Sequence, residues 1–151
     1  MWIQELQLSP SDRDILFNST AWLTDSIVDA AQKLLKKACP SGLQSVSCGL
    51  TMTYDVQPGE FIQVLNMGQG HWVTISTIGT SHPTVRIYDS LYYSAGTQLK
   101  AQIAAVMATE KQNLILDFMD VAMQSDSYDC GLFAIAFATA LATGKTQSNL
   151  R

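Results

Sequence analysis

Apolar positions along this 151-residue chain follow two periods, helical at both ends and strand-like in the middle. Ser9-Pro10-Ser11-Asp12 carries the marks of a helix start, with proline at the first helical position and an acid in the first turn. It predicts a short helix through Phe17. From Ile27, apolar residues recur at Ala30, Ala31, Leu34, Leu35 and Ala38, the spacing of one helix face. Asp25 and Asp29 near the start of that helix, and Lys33, Lys36 and Lys37 near its end, complement its dipole, and Cys39-Pro40 should stop it. After a Ser/Gly-rich connection, Phe61–Leu65, Trp72–Ile78 and Val85–Tyr88 read as strands rich in β-branched and aromatic residues. Gly68-Gln69-Gly70 and Gly79–Pro83 supply the turns between them. A helix is expected from about Gln98, with Leu99, Ile103, Val106 and Met107 on one face, followed by a strand over Leu114–Phe118. The last helix opens at Cys130, runs through Leu141 and stops near Gly144; it is apolar on every side and is therefore expected to be buried throughout. Helices before and after a run of strands indicate an α+β fold with a mostly antiparallel sheet.

Composition narrows the field. Hydrophobic residues make up 47% of the chain and charged residues only 15%, which suits a packed core and argues against disorder. The net charge of −4 offers no basic field for a phosphate backbone, so no nucleic-acid partner is expected. No segment has the unbroken apolar length of a membrane span, and Met1–Glu5 lacks the basic and apolar regions of a signal peptide. These features point to a reducing cytoplasmic or nuclear compartment. Three cysteines cannot all pair, and no spaced Cys/His ladder suggests a metal, so no cofactor is expected.

The odd thiol directs attention to Cys130. At the start of an apolar helix it meets the positive end of the dipole and amides without intrahelical acceptors, conditions that favour a thiolate and can hold an oxyanion. Gly131 beside it leaves space where a substrate backbone would approach. His71 opens one strand and Asp89 closes the next; a turn around Gly79–Pro83 would set them opposite each other at one end of the sheet. A carboxylate there can hold an imidazole by its far nitrogen. Gln124 lies six residues before Cys130, across the polar loop Ser125–Asp129, where its amide can point a donor at an attacked carbonyl. Each feature alone has a plainer reading: a core cysteine, a polar pair at a sheet rim, a surface glutamine. His82, Cys39, Cys48, Asp117, Asp120, Met119 and Met123 are assigned no chemistry: a turn histidine, ordinary thiols, solvating acids and packing methionines.

The combination is more specific than its parts. His71-Trp72, Asp89, and Gln124 ahead of Asp129-Cys130-Gly131 resemble the ubiquitin-like-protease family of cysteine proteases, which includes SUMO- and NEDD8-specific members and is related to the adenovirus protease. Trp22-Leu23-Thr24-Asp25 resembles that family's Trp-Leu-Asn-Asp segment, with Thr24 in place of the usual asparagine. The resemblance implies a papain-like, adenain-like fold in which a mostly antiparallel sheet packs on a buried helix carrying the nucleophile. It implies Cys130 as nucleophile, His71 as general base, Asp89 as its orienting group and Gln124 in the oxyanion hole. It also implies that Trp22 and Trp72 form a narrow tunnel over the Gly-Gly tail of a ubiquitin-like partner, with the protein acting as a monomer. Family domains are commonly larger, so residues 1–151 read as one catalytic domain that is either minimal or cut at its C-terminus. Two alternatives use the same residues: an acyltransferase, and a non-catalytic modifier-binding module.

Overall fold

The protein is described here by a computed structural model covering residues 2–38, 41–57, 59–68, 71–92 and 95–144. A 3₁₀ turn over Gln4–Leu6 precedes α1 (Pro10–Leu16), α2 (Asp25–Leu35) and the short α3 (Cys48–Thr51). Strands β1 (Ile62–Asn66), β2 (Trp72–Ser76) and β3 (Thr84–Tyr88) follow, then α4 (Thr97–Met107), a second 3₁₀ turn over Lys111–Asn113, β4 (Ile115–Phe118) and α5 (Cys130–Ala142).

Local chemistry accounts for the first helices. Ser9 caps α1 reciprocally: its Oγ accepts from the Asp12 N–H while Asp12 accepts from the Ser9 N–H at 2.9 Å. Asp12 also accepts from the Thr24 hydroxyl at 3.1 Å, and that hydroxyl accepts from the Ile27 N–H as the cap of α2. Thr24 therefore meets the capping requirement at a position the resemblance fills with asparagine, a contribution of about 1 kcal/mol for such a cap. Helix α2 ends at Leu35, three residues short of the apolar pattern; Cys39 and Pro40, the expected stop, lie outside the described residues, as do Gln69 and Gly70 of the first turn.

The sheet order is β1-β2-β3-β4. The first three strands are antiparallel as expected, whereas β4 runs parallel to β3, with Val85 paired to Leu116 and Ile87 to Phe118. The parallel pairing follows from α4, which carries the chain back across the sheet before β4 begins. Both faces of the sheet are covered. On one, Ile62, Val64 and Trp72 pack with Leu23, Ile27 and Val28 from the α2 region and with Cys130, Ala134 and Ala138 of α5. On the other, Leu65, Val73, Ile75, Val85 and Ile87 pack with Leu99, Ile103 and Val106 of α4. This explains why β2 is buried at all five positions, the hydroxyls of Thr74 and Ser76 each donating to a main-chain carbonyl.

Helix α5 is not buried all round. Cys130, Gly131, Ala134, Phe137 and Ala138 are buried, but Leu132, Ala136 and Thr139 form an exposed stripe. A single helix laid on one sheet face has neighbours beneath and beside it but none above, so an all-apolar sequence still leaves one face in water. A hydroxyl ties the helix down: Thr74 of β2 donates to the Ala134 carbonyl at 2.6 Å, one turn beyond Cys130.

Candidate active site

Three connections bring the chemistry to one end of the sheet. His71 sits immediately before β2, with both main-chain groups engaged: its N–H donates to the Gly68 carbonyl at 3.0 Å and its carbonyl accepts from the Met67 N–H at 2.8 Å. Asp89 immediately follows β3. The observed register pairs Thr74 with Tyr88 and Ser76 with Arg86, two residues away from the pairing that would set His71 directly opposite Asp89. The two meet as diagonal neighbours, a separation that long side chains bridge. His71 Nε2 lies 3.1 Å from Asp89 Oδ2. Asp89 Oδ1 accepts from the N–H groups of Leu91 at 2.9 Å and Tyr92 at 3.1 Å, so the buried carboxylate is held on both oxygens.

With Nε2 committed to Asp89, Nδ1 is the ring nitrogen left to exchange a proton with the thiol. Cys130 is 1% exposed and is the first residue of α5. Burial alone would push the imidazole down, but hydrogen bonding to Asp89 and to Cys130, and the charge of both, raise the His71 pKa to about 9. Burial alone would push the thiol up; hydrogen bonds from His71, from the Trp72 main chain and from the Gln124 side chain outweigh it and hold the Cys130 pKa below its ordinary value. The opposite shifts favour a thiolate–imidazolium pair, the reactive form of a cysteine nucleophile.

Gln124 is clamped from three sides. Its N–H donates to the Ser90 carbonyl at 2.9 Å, its Oε1 accepts from the Ser90 hydroxyl, and its Nε2 donates to the Asp126 carbonyl at 2.7 Å. With Oε1 and one amide hydrogen occupied, the second hydrogen is directed to the thiol, where a developing oxyanion would also lie. Cys130 opens α5, where the positive end of the helix dipole favours a negative charge.

Ser90 is a functional residue that sequence reasoning missed; its only sequence signal is its place directly after Asp89. It is buried and touches Gln124 twice, so it acts as a positioning residue. Gln124→Ala is expected to lower kcat by about 10²–10³-fold. Ser90→Ala, which loosens the amide without removing it, should lower kcat by roughly tenfold with KM unchanged. Steady-state kinetics on one substrate checks both; a raised KM with unchanged kcat would assign Ser90 to substrate binding instead.

A cavity of about 310 Å³ lies over these groups, lined by Trp22, Met67, His71, Leu91, Tyr92 and Cys130, among others. Trp22 is 50% exposed and contributes its ring. The ring of Trp72 does not join it: Trp72 is 2% exposed and packs in the core with Leu23 and Cys130. Strand alternation sends its side chain to the α5 face with Thr74, so its contribution to the site is its main chain. Gly131 likewise serves packing, since a Cβ there would meet Leu23 atoms at 3.0 Å, which brings α5 close to the segment carrying Trp22. A larger cavity of about 480 Å³, beside Phe61, Thr77, Val106 and Met107, contains no cysteine and lies apart from this cluster. Among the described residues, no group of three or more His, Cys, Asp or Glu could hold a metal ion, and no helix is long and apolar enough to cross a membrane.

A family model described as "Ulp1 protease family, C-terminal catalytic domain" matches residues 61–151, the span from β1 through His71, Asp89, Gln124 and Cys130. The chain belongs to the Ulp1 protease family. It is accordingly a thiol-dependent hydrolase, a cysteine peptidase. Solved structures extend the likeness across the N-terminal helices. A SUMO protease Ulp1 with its catalytic cysteine oxidised to a sulfonic acid is 18% identical, with a TM-score of 0.67 over 96% of this chain and 77% of that one. The Ulp1 protease domain in complex with SMT3, the yeast orthologue of SUMO, is 18% identical, with a TM-score of 0.62 over 91% of this chain and 72% of that one. The Xanthomonas campestris effector XopD bound to ubiquitin is 19% identical, with a TM-score of 0.56 over 91% of this chain and 79% of that one. At these identities the structures establish the fold, α+β with the nucleophile helix packed on the sheet, while the family model establishes the family. A comparison with curated proteins found no match.

Proposed function

We propose that this protease cleaves after the C-terminal Gly-Gly of a SUMO-like or other ubiquitin-like modifier. The observation that carries the reading is the Asp89–His71–Cys130 array with the Gln124 amide directed at the same thiol. The cavity beside Trp22 supports the substrate class: a flat indole at its rim suits an extended backbone without side chains. Similar folds have been solved with the yeast SUMO orthologue and with ubiquitin, so both are candidates.

The chemistry follows from the geometry. The Cys130 thiolate attacks the carbonyl carbon of the terminal glycine, forming a C–S bond, and the electron pair moves to oxygen, where the Gln124 amide and the positive end of the α5 dipole stabilise it. As the C–O double bond re-forms, the C–N bond breaks and the proton on His71 Nδ1 passes to the departing nitrogen. His71, now neutral, takes a proton from water, whose oxygen attacks the thioester; collapse releases the modifier carboxylate and restores the thiolate. Asp89 keeps the imidazole oriented through both half-reactions.

The test is a panel of SUMO, NEDD8 and ubiquitin activity-based probes, each ending in a Gly-Gly mimic that carries a thiol-reactive group. At least one is expected to form a covalent adduct with the folded protein, mapped by mass spectrometry to Cys130. Absence of any adduct from correctly folded protein would refute the reading.

A further inference from the structure

Tyr92 touches the His71–Asp89 pair twice, once with its main chain and once with its ring. Its N–H donates to Asp89 Oδ1 at 3.1 Å, and its ring stands edge-on to the His71 imidazole, with centroids 5.2 Å apart and planes at 72°. The residue is 54% exposed and lines the cavity over Cys130, so core packing does not account for where the ring sits. The main-chain contact is common to any residue with an N–H at this position. The ring contact belongs to the side chain alone.

The reaction cycle gives that ring contact its meaning. In the free enzyme the imidazolium is drawn to two charged partners, Asp89 at Nε2 and the Cys130 thiolate. Acylation removes both attractions together: the Nδ1 proton leaves with the amine, and the sulfur becomes an uncharged thioester. What remains is a hydrogen bond from a neutral imidazole to Asp89, weaker than the bond an imidazolium makes there. Nδ1 must be aimed at a water molecule at that same moment. Dispersion and quadrupole contacts between two rings do not require the proton, so the Tyr92 contact persists in the neutral state.

We propose that Tyr92 is a positioning residue for His71, acting through its ring and chiefly in deacylation, where it holds the neutral imidazole at the angle that lets Nδ1 take a proton from water. The inference rests on the reading of the thiol site given above. In that step an O–H bond of water breaks toward Nδ1, the water oxygen bonds to the thioester carbon, and the C–S bond breaks to return the thiolate. Tyr92 exchanges neither proton nor electron. The role therefore belongs to the aromatic ring and not to the phenol oxygen: phenylalanine should fill it, and an aliphatic chain of similar bulk should not.

The test uses the modifier that labels Cys130, supplied as its C-terminal alkyl thioester. That substrate loses a thiolate, which departs without needing the His71 proton, so its turnover reports the deacylation half. Tyr92→Ala is expected to lower kcat on it by about tenfold, the order of effect that an edge-to-face ring pair can supply. Labelling of the same variant by a vinyl sulfone probe, which has no second half-reaction, should slow by less than about threefold. Intact mass after acid quench should show more of Cys130 held as acyl-enzyme than in the wild type. Tyr92→Phe should recover most of the lost kcat, and Tyr92→Leu should not. Unchanged kcat in Tyr92→Ala, a change confined to KM, or equal losses in labelling and turnover would each overturn the inference and leave the site reading standing. So would a Tyr92→Phe variant as slow as the alanine variant, which would place the role on the hydroxyl. Absence of labelling in the wild type would overturn both. The comparison of Tyr92→Leu with Tyr92→Phe decides the matter on its own if the alanine variant fails to fold.

Discussion

Cys130→Ala is expected to abolish covalent labelling and to lower turnover by at least roughly 10⁴-fold, because no other group in the cleft can replace the thiolate as nucleophile. The loss should leave the fold intact. Alanine is the best helix former, and the substitution removes one atom from a site buried at the first turn of α5. The modifier should still bind, since Trp22 and the rest of the cleft are untouched. Cys48→Ala provides the contrast. That thiol is half-buried in α3, packs with the α4-side core and does not line the cavity over Cys130, so labelling should persist. The checks are intact-mass spectrometry after probe treatment, thermal melting and turnover. Residual labelling of the folded Cys130→Ala protein would displace the nucleophile from this position.

Asp89→Asn is expected to cost about 10²–10⁴-fold in kcat/KM and to reshape its pH dependence. In the wild type the pair is populated at pH values above the lowered thiol pKa and below the His71 pKa of about 9. Lowering the pH protonates the thiolate; raising it through 9 strips the imidazolium. Both directions remove activity, so the profile is a bell whose alkaline limb falls near 9. Replacing Asp89 removes its part of what outweighs the burial of His71, leaving Cys130 alone to oppose it, and the imidazole pKa moves down. The thiol loses its cationic partner over the same range and its pKa moves up, so the active window closes from both sides. The alkaline limb should shift to lower pH, as read from kcat/KM profiles and from the pH dependence of Cys130 alkylation. A variant whose alkaline limb stays near 9 would show that Asp89 does not set the state of His71.

How far the site was legible can be judged residue by residue. His71, Asp89, Gln124 and Cys130 stood out because their types, order and spacing suit a single reaction, and the fold brings them to one place. Ser90 did not stand out, because a serine's contribution to an amide 34 positions away exists only once the loops meet. The resemblance gave Trp22 and Trp72 the same role, yet Trp22 is half exposed at the cleft and Trp72 is buried in the core. Gly131 appeared to make room for a substrate, whereas its missing Cβ makes room for Leu23.

By itself, the sequence determined the kinds of element, the buried face of α4 and a set of residues whose types and order suit a single reaction. These properties are local, set by side-chain period, capping and ionisable chemistry. Only the tertiary structure decided which neighbour would cover each face. The β2–β3 register, the parallel placement of β4 and the exposed stripe of α5 all depend on helices and strands far apart in the chain. A periodic pattern says that a face must be buried; the partner is settled by whichever packing of the whole chain leaves the fewest unpaired groups and voids.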